Sequence, residues 1–147
     1  LPSPLSPTAR IAAIGEPGAP MTITGRVLGP DRRPRAGVVV YAYQTNDQGV
    51  YPRPSQPTGA AGDRHGALRG WVHMHVIERG CATYYIDDVM FTDDPLLTPA
   101  ERGKLTAGRG GDGIVTPKRV DGRWIATRDI TLGLNIPGHP GCQAPAR

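Results

Sequence analysis

Aromatic residues are scarce in this sequence, with two Trp, five Tyr and one Phe among 147 residues. The net charge is +4, and the densest basic cluster (Arg32, Arg33 and Arg35) has no aromatic residue interleaved with it. Nucleic-acid surfaces combine clustered basic side chains with recognisable binding motifs. We therefore interpret the cluster as a solvated turn between strands and expect no nucleic-acid partner.

Long apolar runs and cysteines are also scarce. No run is long enough to cross a membrane as a helix, so no membrane partner is expected. Cys81 and Cys142 either form one disulfide or stay free, and this count leaves the compartment open. The first residues, LPSPLSPTAR, are typical of a flexible leader that remains after signal-peptide cleavage. We expect an exported protein, with the cytoplasm as the alternative.

Glycine and proline, in contrast, are abundant, with 20 and 16 residues. They fall between short β-rich runs, as turn residues do in an all-β protein, whereas a disordered chain disperses its few hydrophobic residues. A chain of this length suits a single domain. We predict a flexible Pro-rich tail over 1–19, one β-sandwich domain over 20–137 and a C-terminal tail over 138–147.

Alternation and β-branched residues predict strands in several segments. These are 21–29, 38–45, 71–78 and 81–91, followed by a late hairpin of 113–120 and 123–134. The second segment is apolar enough to be buried on both faces. A long loop is predicted over 46–70, and loops of that length are usually functional.

A single helix is predicted near 98–105. Thr98 is a capping residue, Pro99 occupies the first helical position, and Glu101 completes a capping box. Several short strands and one short helix together predict an all-β sandwich.

The segment GWVHMHV places two histidines one residue apart in an apolar run. In a strand, His73 and His75 share one face, while the valines and Met74 share the other. Two imidazoles on one surface can hold one metal ion if a third ligand arrives from elsewhere. The alternative is a half-exposed strand with two solvated histidines.

Other metal-binding residue types are assigned simpler roles. Asp87 and Asp88 are adjacent, so they point to opposite sides of a strand and cannot converge on one ion. We predict a turn or sheet-edge role for them. His65 and His139 are predicted to be solvated loop residues.

The motifs, taken in order, resemble those of the intradiol ring-cleavage dioxygenases, the protocatechuate and catechol dioxygenase family. The similarity covers residues from about 20 to 137. It rests on GVVVYAYQTNDQGVYP with its Gly49-Val50-Tyr51, and on LRGW, VHMHV, YYIDDVMFTDDPLL and GIVTP…DGRWIATRDITLGLN.

This resemblance implies a β-sandwich of the intradiol type and a ferric centre, Fe(III). The implied ligands are Tyr51, His73 and His75, with Tyr51 and His73 in catalytic roles. Tyrosinate is a hard anionic ligand that favours ferric iron. The implied partners are a catechol or hydroxyquinol and O2, and the ring is cleaved between the two hydroxylated carbons. Members of the family often self-associate, so a homo-oligomer is a further expectation.

One departure from the family concerns its second tyrosine ligand. A block with a Pro-Gly-x-Tyr-Pro turn and an Arg normally precedes His-x-His, and this chain passes from Trp71 to Val72 without it. We consider three explanations. The chain is longer and a mobile block is absent here, the protein is a deletion that lost the activity, or another tyrosine takes the place of the second ligand. We favour the first. Had the block ended in His, His73 would be the second histidine of the pair, so His73 ranks above His75.

This departure leaves both the second ligand and the function open. The remaining tyrosines on strands, which are more often packed than metal-bound, offer substitutes: Tyr41, Tyr43, Tyr84 and Tyr85. The rival function is a non-catalytic β-sandwich that binds or interacts through the scaffold alone. A third interpretation, which rests on charge alone, is a basic protein that binds nucleic acid or anionic surfaces through its arginines.

Overall fold

The computed structural model describes residues 4–12, 14–16, 18–44 and 71–139. Tyr51, His65, Cys142 and the loop predicted over 46–70 lie outside the described residues. The described strands are β1 (Met21–Thr24), β2 (Val27–Leu28), β3 (Val39–Gln44), β4 (Val72–Ile77), β5 (Tyr84–Phe91), β6 (Ile114–Val115), β7 (Lys118–Val120), β8 (Arg123–Thr127) and β9 (Ile130–Thr131). Helix α1 spans Pro99–Leu105.

The strands form three sheets around one core. The largest has the order β3-β4-β5-β6, with β3, β4 and β5 antiparallel and β6 parallel to β5. A three-stranded sheet, β1-β8-β7, and a two-stranded sheet, β2-β9, supply the other strands. The buried core joins residues from these layers: Val72, Met74, Val76, Ile86, Val89, Val115, Ala126, Ile130 and Leu132. The predicted all-β sandwich is confirmed. Among the described helices, none is long and apolar enough to span a membrane.

The strand predicted over 21–29 is two strands, because it is interrupted at Gly25 and Arg26. Gly25 lies close to the neighbouring segment, since an added Cβ would be 1.9 Å from the carbonyl oxygen of Arg128. That segment is interrupted at the same level, between β8 and β9, so β1 pairs with β8 and β2 with β9, both in parallel. Arg26 and Asp129 join the two interruptions through the Arg26 N–H, which donates to the carboxylate at 2.9 Å, and through the guanidinium, at 2.6 Å.

The helix follows the sequence prediction, and the late hairpin does so only around its turn, because 113–120 is divided into β6 and β7 and 123–134 into β8 and β9, which lie in different sheets. The Thr98 hydroxyl accepts a hydrogen bond from the Glu101 N–H at 3.3 Å, as an N-cap should. The Glu101 side chain, which would form the other half of a capping box, instead pairs with Lys104 at 2.9 Å. Strands β7 and β8 form the hairpin at Asp121 and Gly122, whose φ angles of 48° and 76° suit a tight two-residue turn.

Strand β3 corrects the expectation that it is buried on both faces. It lies at the end of the described strand order, and Tyr41 is 53% exposed. The face of β3 that carries Tyr41 is therefore not buried, because a strand of an antiparallel sheet can pack one face on the core and leave the other open to solvent.

The turn or edge role predicted for Asp87 and Asp88 is wrong, since both lie within β5 between β4 and β6. The Asp87 side chain is fully buried and accepts hydrogen bonds from the Gly108 N–H at 2.6 Å and the Arg109 Nε at 3.2 Å. Arg128 is also buried, at 4% exposure, and donates to main-chain carbonyls that include those of Asp87 and Gly110. Burial lowers the pKa of Arg128 from its ordinary value, and the charge of Asp87 opposes that shift.

Gly113 is expected to be intolerant of a side chain. An added Cβ would lie 2.1 Å from the carbonyl oxygen of Asp88 in β5. The segment around Gly113 is held against β5, because the carbonyl oxygen of Gly113 accepts a hydrogen bond from the Met90 N–H. Gly113→Ala should therefore lower the free energy of unfolding by about 1–3 kcal/mol. The matched control, Gly103→Ala, has open space around it in α1 and should raise the free energy by about 0.5–1 kcal/mol. Chemical denaturation measures both, and equal effects would contradict the packing argument.

Asp129 is expected to make stability depend on pH. Its hydrogen bonds from Arg26 hold the pKa of the carboxyl below its ordinary value of 3.8. The carboxyl therefore binds protons less readily in the folded state than in the unfolded state. Its contribution to the free energy of unfolding is present above the ordinary pKa and is lost as the pH falls through the pKa of the folded state. Asp129→Asn should be less stable than the wild type at pH about 7, with the difference shrinking below pH about 4. Denaturation curves at both pH values test this, and a constant difference would refute it.

Candidate metal centre

One face of the four-stranded sheet gathers most of the metal-binding residue types. We call it the histidine face, defined by six side chains on the side opposite to the core: Tyr41 and Tyr43 from β3, His73 and His75 from β4, and Tyr85 and Asp88 from β5. The valines and Met74 of β4 are buried on the other side. The alternation predicted for GWVHMHV is thus observed, and it brings both imidazoles to one surface.

Strand register decides which rings meet on the histidine face. Tyr43 lies opposite His73, and Tyr41 and Tyr85 flank His75 from the two neighbouring strands. The ring of Tyr43 stacks on that of His73 with centroids 5.0 Å apart, and Tyr85 lies against His75 at 3.8 Å. The two histidines are therefore enclosed by phenol rings.

A β-bulge between β4 and β5 brings Asp88 to the same face. Val72 pairs with Val89 but Met74 pairs with Ile86, so two residues of β5 oppose the single residue His73. The bulge turns Asp87 into the core and leaves Asp88 beside the histidine. Nδ1 of His73 and Oδ2 of Asp88 are 3.0 Å apart.

The electrostatic environment favours neutral side chains on this face. Burial, followed by the nearby His73, lowers the pKa of His75 from its ordinary value of 6.5. Burial raises the pKa of Tyr43 above 10, and its hydrogen bond with Tyr85 and the charge of Asp88 add to that shift. A neutral imidazole is the form that binds a metal, whereas a phenol must first lose its proton.

The donor set on the histidine face fits a ferric ion in chemical type. It combines two imidazole nitrogens with phenol oxygens, and the phenolate form of tyrosine is a hard anionic ligand. Tyr51, the tyrosine implied by the family resemblance, lies outside the described residues. Of the substitutes, Tyr41, Tyr43 and Tyr85 share the face with the histidines, while Tyr84 points to the other side of β5.

Comparison with solved structures finds this architecture in dioxygenases. The dioxygenase domain of a dioxygenase–carbohydrate-binding fusion from Streptomyces sp. SirexAA-E aligns with a TM-score of 0.64 at 18% identity, over 88% of this chain and 90% of that one. Hydroxyquinol 1,2-dioxygenase from Pseudomonas putida DLL-E4 aligns with a TM-score of 0.54 at 20% identity, over 78% of this chain and 56% of that enzyme. 3-Chlorocatechol 1,2-dioxygenase from Rhodococcus opacus 1CP aligns with a TM-score of 0.57 at 10% identity, over 80% of this chain and 61% of that enzyme. No protein-family model and no curated protein matches the chain.

This chain has the intradiol dioxygenase fold. The resemblance seen in the motifs is therefore confirmed at the level of architecture. The chain spans 56% and 61% of the hydroxyquinol and chlorocatechol enzymes but 90% of the Streptomyces domain. A chain of this length accommodates most of that smaller dioxygenase domain.

A second cluster within the dioxygenase fold corrects the prediction for His139. This residue is not a solvated loop residue, because its Nε2 lies 3.1 Å from the Glu78 carboxylate and its side chain is only 15% exposed. The Tyr84 hydroxyl donates to the same carboxylate at 2.5 Å. The short sequence GHPG gives no periodic signal for this contact, which joins residues 61 positions apart.

Glu78, Cys81 and His139 bring three ligand atoms within 4.8 Å of one another. Cys81, however, is disulfide-bonded, so its sulfur is not available as a thiolate. Without the thiolate the cluster offers two ligands, and the Glu78 carboxylate already accepts from Tyr84. We interpret it as a polar contact that fixes the segment after β9 against the sheet.

Tyr84 should remain protonated in strongly alkaline solution. Its ionisation would place a phenolate beside the Glu78 carboxylate in a half-buried position, and burial and this contact raise its pKa well above 10. Tyr84→Phe is therefore expected to leave the phenolate absorbance of the folded protein unchanged during an alkaline titration. Loss of one tyrosine's share of that absorbance before unfolding would contradict the assignment.

Proposed function

We propose that this chain is a ferric-iron-dependent intradiol dioxygenase. It cleaves a catechol or hydroxyquinol between its two hydroxylated carbons, adding both atoms of O2 so that each carbon becomes a carboxyl group. The observation that supports this most directly is the pair His73 and His75 on one face of a dioxygenase fold, enclosed by phenols. Iron, substrate and activity are parts of the proposal.

In this proposal His73 and His75 supply two neutral nitrogen ligands and Tyr51 supplies a phenolate. When bound, a ferric ion supplies Lewis-acid chemistry, which promotes loss of the catechol protons and activates the ring toward O2. The strand holds the two imidazoles at a fixed i, i+2 spacing, so little ordering is required when the ion binds. The neighbouring tyrosine rings cover part of both imidazoles.

Tyr43 and Tyr85 are the proposed sources of the second phenolate if no further tyrosine is present. Tyr43 stacks on His73 and Tyr85 lies against His75, so both phenols lie beside the proposed nitrogen ligands. A phenolate oxygen in this position can take up a proton that a catechol releases. Tyr84 is not part of this proposal, because its hydroxyl is engaged by Glu78 on the other side of the sheet.

Export is the proposed localisation. The supporting observation is the disulfide at Cys81, since disulfides are typical of an oxidising compartment. A homo-oligomer stays a proposal that gel filtration can test.

The test is a visible absorption spectrum of purified protein, with iron quantified on the same sample. We expect one iron per chain and a tyrosinate-to-iron charge-transfer band that shifts when catechol is added. His73→Ala and His75→Ala should each lose most of the iron and the band, and oxygen uptake with catechol should fall by at least about 100-fold, because a directly coordinating ligand has been removed.

His139→Gln is the matched control, because His139 belongs to the cluster with Glu78. It should retain the iron and the band. If instead iron is lost in His139→Gln but kept in His73→Ala, the histidine face is not the metal centre. A wild-type protein that stays colourless after iron is supplied would exclude the dioxygenase and favour the non-catalytic scaffold.

A further inference from the structure

The contact between His73 and Asp88 gives the two histidines of the face unequal surroundings. The Asp88 carboxylate lies 3.0 Å from Nδ1 of His73, and the two side chains are only 13% and 23% exposed. His75 instead has its ring against Tyr85 at 3.8 Å, with Tyr41 and Tyr43 farther away.

The atom that faces Asp88 determines the tautomer of His73. A neutral imidazole has one N–H group, and a carboxylate only accepts hydrogen bonds. With Nδ1–H donating to Asp88, the in-plane lone pair of the neutral ring is on Nε2, the nitrogen that would bind a metal. Metal-binding histidines commonly donate their other N–H to a carboxylate, which fixes the tautomer and makes the ligating nitrogen more basic.

We propose that Asp88 is a positioning residue that holds His73 in the Nδ1–H tautomer and presents Nε2 to the metal. The effect on metal binding rests on the proposed function, whereas the effect on the tautomer does not. In this proposal Asp88 acts through His73, with Oδ2 of its carboxylate at Nδ1.

The backbone explains why this carboxylate is so well placed. In a regular strand pair Asp87 or Asp88 alone would face His73, but the bulge sets both residues against it. Asp87 is held in the core by Gly108 and Arg109, and this anchors the bulge on its inner side. Asp88 is thereby fixed on the outer side without a bond of its own to the core.

The first measurement needs no iron. Long-range ¹H–¹⁵N spectra of the metal-free protein distinguish a protonated ring nitrogen from an unprotonated one. The wild type should show His73 with Nδ1 protonated and Nε2 unprotonated. Asp88→Ala should shift His73 toward the Nε2–H tautomer, and Asp88→Asn, which keeps an oxygen acceptor of the same shape, should keep Nδ1–H.

The second measurement is the affinity for ferric iron, followed through the charge-transfer band. Asp88→Ala should weaken binding by about 10–100-fold, with Asp88→Asn between this variant and the wild type. Asp93→Asn, which removes one negative charge from an exposed residue just after β5, is the matched control and should bind like the wild type. The energy of the band should also shift in Asp88→Ala, because the donor strength of His73 changes.

The outcomes separate the two proposals. An unchanged tautomer in Asp88→Ala, or an iron affinity within about twofold of the wild type, would overturn the positioning role. If the tautomer changes as expected but the wild type binds no iron at either histidine, the proposed function fails while the control of His73 by Asp88 stands. If Asp88→Ala does not fold, Asp88→Asn decides through its intermediate affinity, and a wild-type affinity in that variant overturns the proposal.

Discussion

The bulge between β4 and β5 is the constraint on which both halves of this structure depend. It sets two aspartates against one histidine, and it decides which of them faces the core and which faces the histidine. Asp87 enters the core, where it accepts bonds from the Gly108 N–H and the Arg109 side chain. Asp88 remains outside beside His73. The packing of the loop before β6 and the surroundings of the histidines are therefore settled at the same point of the backbone.

The periodic parts of this arrangement could be predicted from the sequence. Strict alternation in WVHMHV places the histidines together, and Thr98 and Pro99 define the start of α1, because these signals depend on residues close in the chain. The interruption at Gly25 could not be predicted, since it lies against a carbonyl of Arg128 about a hundred positions away. The bulge could not be predicted because it depends on the register between β4 and β5. The sequence placed Asp87 and Asp88 on opposite sides of a strand, but not Asp87 in the core.

The candidate centre was predicted to a similar extent. His73 and His75 could be proposed from spacing alone, and family resemblance added the chemistry. The contacts of Tyr43 and Tyr85 with them depend on register between strands, which a single sequence specifies only weakly. His139 was assigned wrongly because its environment is created by Glu78, in a different part of the chain. The fold is shared with dioxygenases at 10–20% identity, and a fold by itself does not determine a reaction.

The parallel pairing of β1 with β8 has a consequence for how the chain acquires its structure. Met21 pairs with Trp124, and the salt bridge between Arg26 and Asp129 closes a separation of 103 residues. Contacts of such range require a large loop to close before they contribute stability, and they are associated with slow folding. During synthesis β1 and β2 are made about a hundred residues before β8 and β9, the strands with which they pair. These two sheets of the dioxygenase fold therefore form only after β8 and β9 have been made.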